Sequence, residues 1–263
     1  MSDWLSRARA AADLLPDRPR LPLWIADGDS LREIGSIEPG IAARLAAAGL
    51  PLSPGGDGWR IEAPWDESLV AIARWLDGER PVSRWCGELL AVVDAAGCPL
   101  ASVERSAVRA LGMATFAVHL VGRAADGCFW VQQRAFDKAT DPGQWDTLMG
   151  GQVAADESTA QTLTRETMEE AGLAIADLRS LDRADDLTVR RPVDDGYMVE
   201  RIAVFRAVLP EGLAPENRDG EVERFECLGE DALRERLRDA AFTLEATLIL
   251  GAELERRAPG FDG

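Results

Sequence analysis

The sequence predicts an α/β sandwich preceded by a smaller α+β domain, and three observations carry that expectation. Two pairs of strand-like runs flank one long amphipathic helix in the second half of the chain. Helical segments follow the last strand. Before residue 111, a separate series of short helical and strand-like pieces alternates with Pro- and Gly-rich turns. The expected division is 1–110 for the N-terminal domain and 111–263 for the sandwich.

In chain order, Ser2 is placed to cap a helix over residues 3–15. Residues 41–48 are Ala-rich and stop at Gly49, a helix signal. Residues 50–58, LPLSPGGDG, read as a loop. A helix over 66–76 places Leu69, Ile72, Ala73 and Leu76 on one face. Residues 88–93 read as a strand that turns at 94–97. In the second unit, 115–122 (TFAVHLVG) and 128–134 (CFWVQQR) are strand-like and joined at Asp126-Gly127, a hairpin signal. Residues 188–192 and 198–208 form a second pair around Asp195-Gly196, and 223–227 add a strand. Residues 230–237 and 243–257 are helical.

Composition excludes several functions. The 263 residues carry a net charge of −17, which repels nucleic acid and anionic membranes at long range. Four cysteines without a CxxC pair and a single histidine, His119, argue against structural zinc. The cysteines read as isolated thiols of a reducing compartment. The first residues, MSDWLSRARAAADLLP, lack the apolar core of a secretory signal, and no apolar run reaches membrane-span length. A cytoplasmic protein is expected. His119, in an apolar strand, reads as a satisfied core histidine.

The chemistry concentrates in residues 150–173, GGQVAADESTAQTLTRETMEEAGL. Ser158 with Gln161 forms a capping box, and Gly172 supplies the stop. Ala160, Leu163, Thr167 and Ala171 give this helix a core face. Glu166, Glu169 and Glu170, at i, i+3 and i+4, share an arc of roughly 100°. Carboxylates crowded on one face repel one another, and shared hard divalent cations relieve the repulsion. A Glu-rich face taken alone is more often solvated surface. The wider spacing reverses that reading: Gly151, five residues, Glu157, seven residues, Arg165-Glu166, two residues, Glu169-Glu170, one residue, Gly172.

This spacing resembles the Nudix box at 151–173, with all seven fixed residues present and Thr167 in a usually aliphatic slot. The resemblance implies a Nudix α/β/α sandwich with a mixed sheet, and a hydrolase that uses Mg²⁺ or Mn²⁺ to cleave a nucleoside, sugar or alkyl diphosphate. It makes Glu166, Glu169 and Glu170 the metal ligands, with Gly151 counted in the metal-binding loop. Arg165 and Glu157 become the pair that orients the ligating glutamates, and Gly172 shapes the helix end. The flanks RWCGELLAV (84–92), VERSA (103–107), LGMATFAVHLVG (111–122), WVQQRAFDK (130–138), DPGQWDTLMGG (141–151) and DGEVERF (219–225) resemble the thiamine-pyrophosphokinase-related Nudix subfamily with its N-terminal domain. That likeness implies conversion of damaged thiamine diphosphates, such as oxythiamine diphosphate, to monophosphates: metabolite repair.

Around the box, Arg134 and Lys138 are candidates for phosphate contacts, against the alternative of plain surface cations. Glu221 and Glu223, with Glu200 behind them, are candidates for a general base. Trp145 is a candidate for stacking on a substrate ring and Asp146 for bonding a ring amine, with core packing as the alternative for the tryptophan. An isopentenyl diphosphate isomerase is excluded, since the Asn-x-x-Cys-x-His-Pro-like segment it needs is absent. ADP-ribose or a nucleotide sugar remains an alternative substrate, and a catalytically dead metabolite sensor an alternative class, although the three intact glutamates favour an enzyme. The N-terminal domain could regulate, cover the substrate or form a homodimer.

Overall fold

The computed structural model describes residues 3–28, 30–79 and 84–256. The chain begins with α1 (Asp3–Ala11), then β1 (Leu21–Asp27), β2 (Ser30–Ile37), α2 (Pro39–Ala47), β3 (Leu52–Gly55), β4 (Gly58–Ile61) and α3 (Trp65–Glu79). A hairpin of β5 (Leu89–Val93) and β6 (Pro99–Glu104) leads through a 3-10 turn at Arg105–Ala107 into β7 (Ala114–Ala124) and β8 (Phe129–Arg134). There follow β9 (Trp145–Asp146), β10 (Met149–Gln152), α4 (Thr159–Ala171), β11 (Arg179–Arg183), β12 (Leu187–Val193), β13 (Gly196–Leu209), β14 (Val222–Leu228), α5 (Glu230–Arg238) and α6 (Leu244–Arg256).

The first unit is a four-stranded sheet in the order β2-β1-β4-β3, with β1 and β4 parallel. Its core gathers Leu23, Ile25, Leu45, Ile61, Leu69, Ile72 and Leu111. The face expected on α3 is the face it buries. Residues 50–58 are not the expected loop, since β3 and β4 pair there as a hairpin. The Pro and Gly residues that suggested a loop supply an edge strand and its turn, while Leu52 and Ile61 face the core.

The second unit is a mixed eight-stranded sheet whose backbone order is β11-β13-β7-β8-β14. The long strands β7 and β13 run parallel in continuous register, and their neighbours are antiparallel. Alternation sends Ala117, Val121, Phe129 and Val131 to one face, where α5 and α6 cover them. Val118 and Leu120 go to the other face, under Leu163 and Ala171 of α4. The result is the α/β/α sandwich expected.

Helix α1 departs from the expected division. Trp4, Leu5 and Ala8 lie in the core of the second unit, against α6. The helix also stops short of residue 15, because the chain after Ala12 turns to pair with β12: Arg190 N donates to Ala12 O at 2.7 Å, and Leu14 N to Arg190 O at 2.8 Å. The expected cap Ser2 and the expected end of the last helix at Arg257 lie outside the described residues. No helix among the described residues is long and apolar enough to cross a membrane. The four cysteines are free, but not all are isolated: strand pairing brings the Cys128 and Cys227 thiols close enough to influence each other.

Candidate active site

Helix α4 starts on the capping box anticipated from sequence. Ser158 N donates to Gln161 Oε1 at 2.9 Å, and the Ser158 hydroxyl accepts from Gln161 N at 3.3 Å. It ends on Gly172 at φ +64, where the left-handed conformation is natural only for a residue without Cβ. Of its expected core face, Leu163, Thr167 and Ala171 are buried. Ala160, in the first turn of the helix, is exposed, and Glu170 sits on the buried face instead.

Arg165 organises the acidic face. Its Nε and Nη2 grip both oxygens of Glu157 at 2.7 and 2.8 Å, and Thr162 Oγ1 donates to the same carboxylate at 2.8 Å. The guanidinium fork holds the Glu157 carboxyl down at about 2. The remaining nitrogen, Nη1, lies 2.9 Å from both Glu166 Oε1 and Glu169 Oε2. The fork therefore ties the loop before α4 to the helix and arrays two of the three glutamates.

Those three glutamates descend from solvent to core. The Glu169 side chain is 48% exposed, that of Glu166 is 15% exposed, and Glu170 is 2% exposed. Gln132 Nε2 and Gly150 N donate to Glu170 Oε2 at 3.0 and 3.2 Å, while Oε1 accepts nothing among the described residues. Burial, reinforced by Glu166, pushes the Glu170 carboxyl up to about 8. Burial also raises Glu166, with Arg165 opposing and Glu169 and Glu221 adding to the rise. Gly151 permits this crowding, since a Cβ there would stand 2.3 Å from the Glu166 carboxyl carbon.

These residues fit a hard divalent cation. The donors are all oxygen, one Glu170 oxygen is held and the other is open, and the loop glycine leaves room for the Glu166 carboxylate. As they stand, no three His, Cys, Asp or Glu side chains among the described residues form a closed metal cluster. Glu169 is folded back onto Arg165.

A cavity of about 840 Å³ opens over the carboxylates. Of the other sequence candidates, Arg134, Lys138 and Glu221 line it. Lys138 and Glu221 form an ion pair, and Arg134 donates to Thr140 O at 2.9 Å. Glu223 is exposed on β14 and does not line this cavity. Glu200 lies deeper, in an adjoining cavity, where its Oε1 accepts from Thr115 Oγ1 at 3.3 Å.

Trp145 is not placed to stack on a substrate. It is 6% exposed, its ring centroid lies 6.5 Å from that of Phe242, and the Arg236 and Arg224 guanidinium groups cover it at 4.4 and 5.3 Å. The two-residue strand β9 turns this side chain into the core. Asp146 is also buried, accepting from Thr147 N at 2.7 Å and lying 3.7 Å from Arg134, so it anchors that arginine instead of presenting an edge to solvent. His119 is a satisfied core histidine, bonded through Nδ1 to Thr147 Oγ1 at 2.9 Å.

Sequence reasoning missed Gln132 and Thr162, which hold Glu170 and Glu157. Gln132 was visible as a polar residue in an apolar strand, with the same parity as Trp130 and opposite to Phe129 and Val131. Covering the substrate is one of three roles the sequence leaves open for the N-terminal unit, but it names none of that unit's residues for the site. Glu88, Leu89 and Arg105 line the cavity, and Ala155 N donates to Leu89 O at 2.9 Å.

The NUDIX domain model matches residues 113–247. Over 133 residues the chain is 34% identical to Nudix hydrolase 20, chloroplastic, of Arabidopsis thaliana, which covers 48% of this chain and 35% of that protein. Over 99 residues it is 40% identical to an uncharacterized Nudix hydrolase of Pseudomonas aeruginosa, covering 36% of this chain and 57% of that one. The match thus spans about a third of the length of the Arabidopsis protein. In fold, the chain is similar to the crystal structure of DR0079 from Deinococcus radiodurans, with a TM-score of 0.51 at 20% identity, over 64% of this chain and 98% of that one.

Proposed function

The chain belongs to the NUDIX family, and on that premise we propose that it is a Mg²⁺- or Mn²⁺-dependent hydrolase that cleaves the phosphoanhydride bond of a small organic diphosphate. The observation that carries this reading is the array built on Arg165, which orients Glu157, Glu166 and Glu169 while Glu170 lies buried beside them with one oxygen open. Glu166, Glu169 and Glu170 would hold the ion. The chemistry it supplies when bound is neutralisation of charge on the diphosphate oxygens and activation of water.

The chain's own residues do the rest. Gln132 and the Gly150 amide fix the Glu170 carboxylate so that its free oxygen faces the site. Lys138 meets phosphate charge once Glu221 releases it, and Glu221 is then free to accept a proton from the attacking water. Arg134, steadied by Thr140 O and Asp146, adds positive charge on the same wall. Glu169 would give up its contact with Arg165 to hold the ion, while Arg165 would keep its grip on Glu157.

Among substrates, the flanking motifs favour a thiamine-type diphosphate, oxidised forms included, in a cytoplasmic repair role. The test is turnover of thiamine diphosphate, oxythiamine diphosphate, ADP-ribose, NADH and UDP-glucose with Mg²⁺ or Mn²⁺, read by chromatography, with Glu169→Gln as control. Glu169-dependent release of a monophosphate supports the hydrolase. Turnover confined to ADP-ribose or UDP-glucose sinks the thiamine assignment, and tight binding without turnover by the wild type sinks the enzyme.

A further inference from the structure

The cavity over the carboxylates does not end at the Nudix fold. A second cavity of about 860 Å³ adjoins it, and the two share Arg105 and Gln152. The walls of this second chamber come from both units: Trp85 and Ser106 on one side, Thr140 and Glu200 on the other. Arg105 stands at the neck, on the 3-10 turn that closes the N-terminal unit.

That turn is rigidly made. The fully buried carboxylate of Glu104 accepts from Cys86 N at 2.8 Å, Gly87 N at 3.2 Å and Ser106 N at 2.7 Å, and also from the Ser106 hydroxyl. It thereby fixes the residues on both sides of the neck. Arg105 N donates to Glu88 O at 2.9 Å, so the backbone of Arg105 is held as well. Its guanidinium is less committed, with Nη1 2.7 Å from Glu88 Oε2, and the two side chains 47% and 54% exposed. Exposed pairs of this kind are weak and exchange readily for a stronger anion.

The other cations at the first cavity are engaged more deeply. Arg165 holds Glu157, Lys138 holds Glu221, and Arg134 holds a backbone carbonyl. Arg105 is thus the cation most available to an incoming anion. A planar fork is suited to a bidentate grip on phosphate.

We propose that Arg105 binds the substrate diphosphate from the side opposite α4, and that the organic group attached to that diphosphate lies in the chamber behind it. This rests on the diphosphate-hydrolase reading. The chamber's size selects an organic group as large as a nucleoside or a vitamin, since a bare pyrophosphate leaves it unfilled. The N-terminal unit is then a wall of the active site, and Arg105 is a substrate-binding residue that the Nudix fold itself does not supply.

The experiment compares wild type, Arg105→Gln and Arg105→Lys, each shown to be folded by circular dichroism. Steady-state kcat and KM are measured on whichever of thiamine diphosphate, oxythiamine diphosphate and ADP-ribose the wild type turns over. Calorimetric affinities for thiamine diphosphate and ADP-ribose are measured in parallel. The expected result is a KM raised about tenfold or more in Arg105→Gln, kcat within about threefold, a shallower dependence of KM on salt, and partial rescue by Lys. An unchanged KM, or a loss confined to kcat, overturns the proposal. Should the wild type turn over nothing, the hydrolase reading fails first and calorimetry decides this one separately. Weaker binding by Arg105→Gln sustains it; equal affinities, or no binding to either protein, overturn it.

Discussion

Two glutamates, one in each unit, are almost equally buried and have opposite fates. Glu104 is 0% exposed and Glu170 is 2% exposed. Around Glu104, both oxygens are satisfied: backbone amides of Cys86, Gly87 and Ser106 and the Ser106 hydroxyl all donate to it. Burial works against its charge, yet these donors hold the carboxyl below the usual range. Around Glu170, two donors reach a single oxygen, Glu166 crowds it, and the carboxyl rises to about 8. Burial alone therefore does not tell what a carboxylate is for. A carboxylate whose oxygens are both matched by fixed donors holds structure together. One left half-matched beside other carboxylates fits the cation-holding role proposed above for Glu170.

That contrast can be broken by substitution. The largest effect is expected from Glu170→Gln, which should cost about 10²–10³-fold in kcat while the unfolding midpoint at neutral pH stays level, since a carboxyl raised to about 8 is already largely protonated there and the amide replaces a neutral group. Turnover and denaturant titration on the same sample check it, and an equal loss of stability would erase the distinction. Glu104→Gln should do the reverse, costing about 2–4 kcal/mol of stability because an amide cannot accept from donors on both sides, while kcat of the folded protein falls less than about tenfold.

Gln132→Leu should weaken Mn²⁺ affinity by roughly 10–100-fold, seen by calorimetry, because the ligating carboxylate loses its orienting donor. Glu157→Gln should cost roughly 1–2 kcal/mol at neutral pH. The Glu157 carboxyl is depressed from 4.5 to about 2, so its contribution is fully present above pH 4.5 and is lost as pH falls toward 2. The stability gap between wild type and Glu157→Gln should therefore close over that window. A gap independent of pH would mean that Arg165 does not discriminate between the two forms.

The half-matched site was far more legible in sequence than the satisfied one. Glu157, Arg165, Glu166, Glu169 and Glu170 lie within fourteen consecutive residues. Helical geometry fixes their mutual positions before any tertiary contact forms. The cap at Ser158 and the stop at Gly172 are equally local. Glu104 gave no such signal, because its partners Cys86 and Gly87 reach it only through the β5–β6 pairing. Gln132 depends on which face of β8 meets α4, and Trp145 on the parity of a strand two residues long. Both are set by sheet register, which one substitution or bulge can invert. The hairpin at β3 and β4 was hidden for a related reason: turn residues announce a break in the chain but not whether the flanks will pair.

The placement of α1 has a consequence for how the molecule assembles. Arg9 meets Glu255 at 2.7 Å across a sequence separation of 246 residues, and Leu5 packs under Gly251 of α6. The sheet and helices of the N-terminal unit are thus an insertion between α1 and the strands whose core α1 completes. On the ribosome, the inserted unit can condense early from contacts close in sequence. Helix α1 must wait, its apolar side unburied, until all the strands and then α6 have been made. Loop closure of that length is entropically costly and tends to come late. Starting the chain at residue 111 to isolate the catalytic unit would remove this last-arriving clasp along with the insertion. A faithful excision would keep α1 and splice it directly to β7.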